Sequence, residues 1–162
     1  MNSVKSLSAF IGRILLSIIF ILSAVNKIFD WQNTESGLIN LFTDWQSYVS
    51  FFPMLSKMIA SYIAYVNEIL IAITIIELLG GFLLFFKIKE KVGAFFLIIY
   101  FIPATFFLHP FWFLSGALRS AELVIFLKNL AILGGLFIFI SKDNEIEIRD
   151  EQPPFEDSND EE

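Results

Sequence analysis

The chain has 162 residues, of which 56% are hydrophobic and 17% aromatic, with 20 phenylalanines and a mean hydropathy of +0.70. A soluble domain of this size needs far more polar surface, so water is excluded as its main solvent. The net charge of −6 and the absence of cysteine exclude a basic nucleic-acid surface, disulfides, thiolate metal sites and iron–sulfur clusters carried by this chain.

The apolar residues come in long blocks rather than in the narrow stripes of an amphipathic soluble helix. The expected fold is therefore all-α and membrane-embedded: a bundle of four transmembrane helices in residues 1–141, with an external interfacial helix between spans 1 and 2. The first span is expected over about residues 10–29, close to the roughly 20 residues that cross a bilayer core. Lys5 and Arg13 before an apolar run also suit a signal peptide, but Leu22-Ser23-Ala24 is a poor cleavage site and more spans follow.

From Asp30 to Ser61 the chain forms a long connection. Leu38, Leu41, Phe42, Trp45, Tyr48, Val49 and Phe52 recur there at helical spacing, which suits a helix lying in the interface or a lid over the bundle. The second span is expected at about 63–86, closed by Lys87-Ile88-Lys89-Glu90-Lys91, and the third at about 92–108, stopped by His109-Pro110. The fourth is expected at about 121–140. Residues 142–162 hold ten acids against Lys142 and Arg149, with Pro153-Pro154. That composition reads as a disordered acidic tail, either solvating or a dock for a basic partner.

Four spans put both termini on one side, together with Lys5, Arg13, Lys87, Lys89, Lys91, Lys142 and Arg149. The opposite loops hold only Lys57 and Arg119. The positive-inside rule then places both termini in the cytoplasm, and the expected location is the bacterial cytoplasmic (inner) membrane.

An ionisable side chain near the bilayer centre costs at least about 2.5–3.5 kcal/mol, so those that remain usually find partners inside a bundle. Glu77 lies roughly 15 Å from the cytoplasmic edge and Lys128 roughly 20 Å from it, at 1.5 Å per residue. A Glu77–Lys128 pair between the second and fourth spans is expected, with an uncharged Glu77 as the alternative. Asn26, Lys27, His109, Glu122 and Asn129 belong to the outer half and complete an expected polar pocket opening outward. Lys27 taken alone also reads as a snorkelling anchor. His109, the only histidine, is either a proton-exchanging group or a helix cap, and with no close second ligand it gives no metal site. Gly80-Gly81 and Gly134-Gly135 suit close helix approach, and Pro103 suits a kink in the third span.

These landmarks together resemble the DoxX family of small four-span membrane proteins. The resemblance rests on Arg13-Ile14-Leu15-Leu16 and Ser23-Ala24-Val25-Asn26-Lys27 in the first span, and Glu77-Leu78-Leu79-Gly80-Gly81 in the second. It continues with Ala104-Thr105-Phe106-Phe107-Leu108-His109 followed by Phe111-Trp112, then Lys128-Asn129-Leu130-Ala131 and Gly134-Gly135. Ala24 stands where the family commonly has glycine, the loop from Lys87 to Lys91 lacks the usual glycine, and the acidic tail is not a family feature.

The resemblance implies association with membrane redox systems. Relatives include subunits of a thiosulfate:quinone oxidoreductase and a membrane partner of sulfur-transfer and superoxide-removing enzymes. More distant ones are cargo receptors or assembly chaperones. Three readings follow. The first is a membrane subunit accessory to a redox system, quinone-linked or sulfur- or oxidative-stress-linked, that helps bind a quinone or a soluble oxidoreductase, with a protein partner or a second copy beside it. The second is a non-catalytic scaffold or assembly chaperone. The third is a small-solute transporter acting as an oligomer.

Overall fold

The computed structural model describes residues 2–141; the acidic segment 142–162 lies outside the described residues, and the expectations for the tail with it. The elements in order are α1 (Asn2–Phe29), α2 (Trp31–Tyr48), α3 (Pro53–Ile63), α4 (Val66–Phe85), α5 (Glu90–Leu108), a 3-10 turn (Phe111–Phe113) and α6 (Gly116–Ser141). Four stretches are long and apolar enough to cross a bilayer: Leu7–Phe29, Val66–Phe85, Glu90–Phe113 and Gly116–Ser141. Large apolar side chains face outward along all four, among them Leu15, Ile75, Ile99 and Ile138. Outward apolar residues cost nothing where lipid is the solvent, and a helix satisfies its own backbone there. The chain is an all-α, four-span membrane protein.

The end of the bundle that holds Arg13, the loop before Glu90 and Ser141 is called the tail end here, and the opposite end, which carries α2 and α3, the cap end. Around the bundle α1 packs along α4, α4 along α5, and α5 along α6, whereas α6 meets α1 over only a short stretch. The apolar core fills the tail half. Phe20, Leu84, Ala94, Leu97, Ile98, Leu133, Leu136 and Phe139 form one buried cluster, and Phe20 meets Phe101 edge to face at 5.2 Å. At the tail end Arg13 reaches Glu90 at 3.8 Å. Lys87 and Lys89 both adopt positive φ, 58° and 47°, where the family resemblance leads one to expect glycine.

Small residues set the helix spacing. A Cβ on Gly80 would lie 2.6 Å from Leu97 Cγ, and one on Gly93 would lie 2.8 Å from Leu83 Cβ and 3.0 Å from the Gly80 carbonyl oxygen. The backbones of α4 and α5 therefore touch at this crossing. Gly81 and Gly135 allow similar approaches to Ile21 and Leu16 of α1. Gly134 does not share that role, since a Cβ there would meet nothing within 4 Å. α5 remains helical through Pro103, whose ring faces outward.

The connection between the first two spans differs from the single helix expected. It is two helices: α2 ends at Tyr48, Val49 and Phe52 fall in a tight turn, and α3 restarts at Pro53. Proline at the first helical position has no N–H to lose and a φ already suited to a helix. Trp45 is the buried residue of α2, and its indole N–H donates to the Phe107 carbonyl at 2.8 Å. That carbonyl is one of the four at the end of α5 that have no partner within the helix. The Trp45 ring also meets Phe106, Phe107 and Phe113 with centroids 5.0–5.7 Å away. With Trp31 donating to Asn67 at 3.2 Å, α2 is fastened to α4 near its start and to α5 near its end.

Gly93→Ala is expected to lower the thermal midpoint in detergent micelles, at about 1–3 kcal/mol for overpacking a tight contact. Gly134→Ala is expected to leave it unchanged or slightly raised.

Candidate functional site

Glu77 is the one acid buried inside a span among the described residues, at 2% exposure. Its position follows from α4, which is apolar on every side and packs between α1 and α5. A carboxylate there must be met by groups from those two helices. α1 supplies Ser23 and Lys27, four residues apart and so on one face of the helix. Lys27 Nζ lies 2.8 Å from Glu77 Oε2, 3.0 Å from Oε1 and 2.7 Å from Ser23 Oγ. An ammonium has three N–H donors, and all three are used. The Ser23 hydroxyl donates onward to Glu77 Oε1 at 3.1 Å. From α5 the Tyr100 side chain stands beside the same carboxylate.

The result is a polar centre from three helices: Lys27 and Ser23, Glu77, and Tyr100. Lys27 sits in the last turn of α1, where the carbonyl end of the helix favours a cation. Its side chain is 18% exposed against 2% for Glu77, so the centre opens on the Lys27 side.

The expected Glu77–Lys128 pair does not form. Both residues have the right depth, but α4 lies against α1 and α5, and α6 lies beyond α5. Lys27, read alone as a snorkelling anchor, turns inward instead. Lys128 is exposed on the outside of α6. His109 and Glu122 do meet, with Nδ1 2.7 Å from Oε2, and tie the end of α5 to the start of α6. Asn26 is exposed and Asn129 half-buried, and neither joins the Glu77 centre. The expected pocket is therefore two separate pairs with Lys128 apart. Sequence reasoning missed Ser23 and Tyr100. The Ser23–Lys27 spacing was the available signal for the first.

A shallow apolar recess of about 230 Å³ lies on the α1–α4 seam, lined by Ile18, Ile21, Leu22, Phe82, Phe85 and Phe86. It contains none of the polar residues above, and its lining suits an acyl chain. Among the described residues no group of three His, Asp or Glu side chains is placed to hold a metal ion. One further group stands out. Thr105 on α5 is 2% exposed and its Oγ1 has no hydrogen-bond partner, which costs about 1–3 kcal/mol for a buried polar atom.

Comparison with known proteins gives one positive result. The family model described as DoxX matches residues 8–110, from the first span to the end of α5. No curated protein and no solved structure matches the chain.

Removing one partner of a buried pair leaves the other charge uncompensated, at about 3–5 kcal/mol. Lys27→Met is thus expected to lower the thermal midpoint well below that of Lys128→Met. Adding Glu77→Gln to Lys27→Met should recover part of the loss. Additive single and double variants would show that the two side chains do not act as a unit.

Proposed function

The chain belongs to the DoxX family, and from that premise we propose that it is a membrane subunit accessory to a redox system, binding a quinone beside the Lys27–Glu77–Tyr100 centre. The observation that carries this reading is Glu77 itself: a carboxylate buried at mid-span, hydrogen-bonded to an ammonium and with a phenol beside it. Such a group can exchange a proton with a ligand carbonyl or hydroxyl. Farther toward the cap end of α5 the Thr105 hydroxyl is also buried without a partner. When bound, a quinone supplies two-electron chemistry, with the electrons delivered by an associated oxidoreductase. The chain's own part is to hold the head group, keep it dry and place a proton near it. This makes the protein a subunit rather than a complete enzyme.

Orientation belongs to the same reading. Arg13, Lys87, Lys89 and Lys91 gather at the tail end, while Lys57 and Arg119 lie toward the cap end. Lys and Arg excess marks the cytoplasmic side, so the tail end is assigned to the cytoplasm of a bacterial inner membrane.

A second reading, a non-catalytic scaffold, is favoured by one observation. All three Lys27 donors are spent within the protein, as they would be if the pair served only to fix helix register.

Native mass spectrometry of the protein, extracted gently from its own membrane, separates the two. A quinone adduct present in the native chain and in Lys57→Gln but lost in Glu77→Gln is the expected result. A folded native chain with no adduct would favour the scaffold.

A further inference from the structure

Lys128 has no place in the centre described above, yet it sits at a costly depth. Along α6 it lies roughly 20 Å from Ser141 and roughly 9 Å from Glu122, so it falls well inside a hydrocarbon core about 30 Å thick. It is exposed on the helix surface and makes no hydrogen bond or ion pair among the described residues. A flexible four-carbon stem lets a lysine near a helix end reach the interface. Even the nearer interface is about 10 Å away, beyond the length of that stem. A cation left against lipid at this depth is strongly unfavourable. It needs an anion at the same depth.

The surrounding surface is shaped for a close neighbour. The buried residues of α6 are Leu133, Leu136 and Phe139, all in its tail half. Toward the cap end the helix is little covered. One turn from Lys128 the exposed Ala131 keeps the surface low, and two turns toward the cap end Ala121 does the same. Small residues next to a polar one are what lets two helices meet in lipid.

We propose that the outer side of α6 is the docking surface for a transmembrane helix of a different chain, which carries a carboxylate at the same depth and pairs it with Lys128. Among the described residues a second copy of this chain offers no free carboxylate at that depth. Glu77 is taken by Lys27 and Glu122 by His109, while Glu68 lies in the first turn of α4 at the cap end. This inference is independent of what Glu77 binds.

The test uses the full chain in phosphatidylcholine vesicles. Because the sequence has no cysteine, Ser36→Cys gives one position for a donor dye. The probes are acceptor-labelled leucine–alanine transmembrane peptides with a single central Glu, Gln or Leu. The Glu peptide is expected to bind about tenfold more tightly than the Leu peptide. That advantage is expected to vanish in Lys128→Gln and persist in Lys57→Gln. Equal binding of all three peptides, or an advantage that survives Lys128→Gln, would overturn the proposal. Energy transfer between two labelled copies of the chain that depends on Lys128 would overturn the assignment to a different chain. Should Lys128→Gln lose its helical circular dichroism, Lys128→Arg decides instead: an advantage kept supports the pairing, and one lost refutes it.

Discussion

A charge in the middle of a lipid-embedded bundle has to be neutralised by the bundle itself, and the contact between Lys27 and Glu77 meets that requirement here. Water is not present to compensate a misplaced carboxylate, so α1 and α4 have one acceptable register along their shared seam. Ser23 and Lys27 reach the carboxylate from the same face of α1, while Ile21 packs over Gly81 one turn and more toward the tail end. Polar and apolar contacts thus specify the same alignment. On its other side α4 lies directly on α5 through Gly80 and Gly93, and this brings Tyr100 to the carboxylate. Placing Glu77 therefore places three of the four spans.

The two halves of the interior are built on different principles. The tail half is a packed apolar cluster, from Phe20 on α1 to Phe139 on α6, and its stability comes from shape. The cap half contains Glu77, Lys27, Tyr100, Thr105 and the His109–Glu122 pair among the buried Ala24, Val66, Leu70 and Trp45, and hydrogen bonding adds to its packing. A fully satisfied polar network in a low-dielectric setting is rigid, whereas one unsatisfied atom in it is costly. In the cap half Thr105 Oγ1 is buried without a partner.

The spans were legible because lipid demands long apolar blocks, and such blocks survive any tertiary arrangement. Glu77 was legible for the complementary reason, that an acid inside such a block is rare and expensive. Its partner was not. Depth along a helix can be counted from the sequence, but which helix stands beside which cannot, and depth alone pointed to Lys128 rather than to Lys27 at the end of its span. The order of the spans around the bundle decided for Lys27. Likewise nothing in Gly134-Gly135 distinguishes the glycine that admits Leu16 from the one that faces outward, since the difference is a rotation of α6. Pro53 did mark the restart of α3, but the apolar spacing from Leu38 to Phe52 ran across the turn and concealed it.

Between Phe29 at the end of α1 and Trp31 at the start of α2 there is a single residue, Asp30. Its backbone N–H bonds back to the Asn26 carbonyl at 2.9 Å, and its own carbonyl accepts from Thr34 at 3.0 Å, so the joint has no slack. The far part of α2 is held by Trp45 on the Phe107 carbonyl of α5. The chain thereby closes a mechanical circuit: α1, the Asp30 elbow, α2, Trp45, α5, and back through α4 and Glu77 to Lys27. In a circuit without a flexible link, displacement at one junction is shared by the rest. Whatever moves Lys27 off Glu77 inside the membrane is transmitted to Trp45 at the surface.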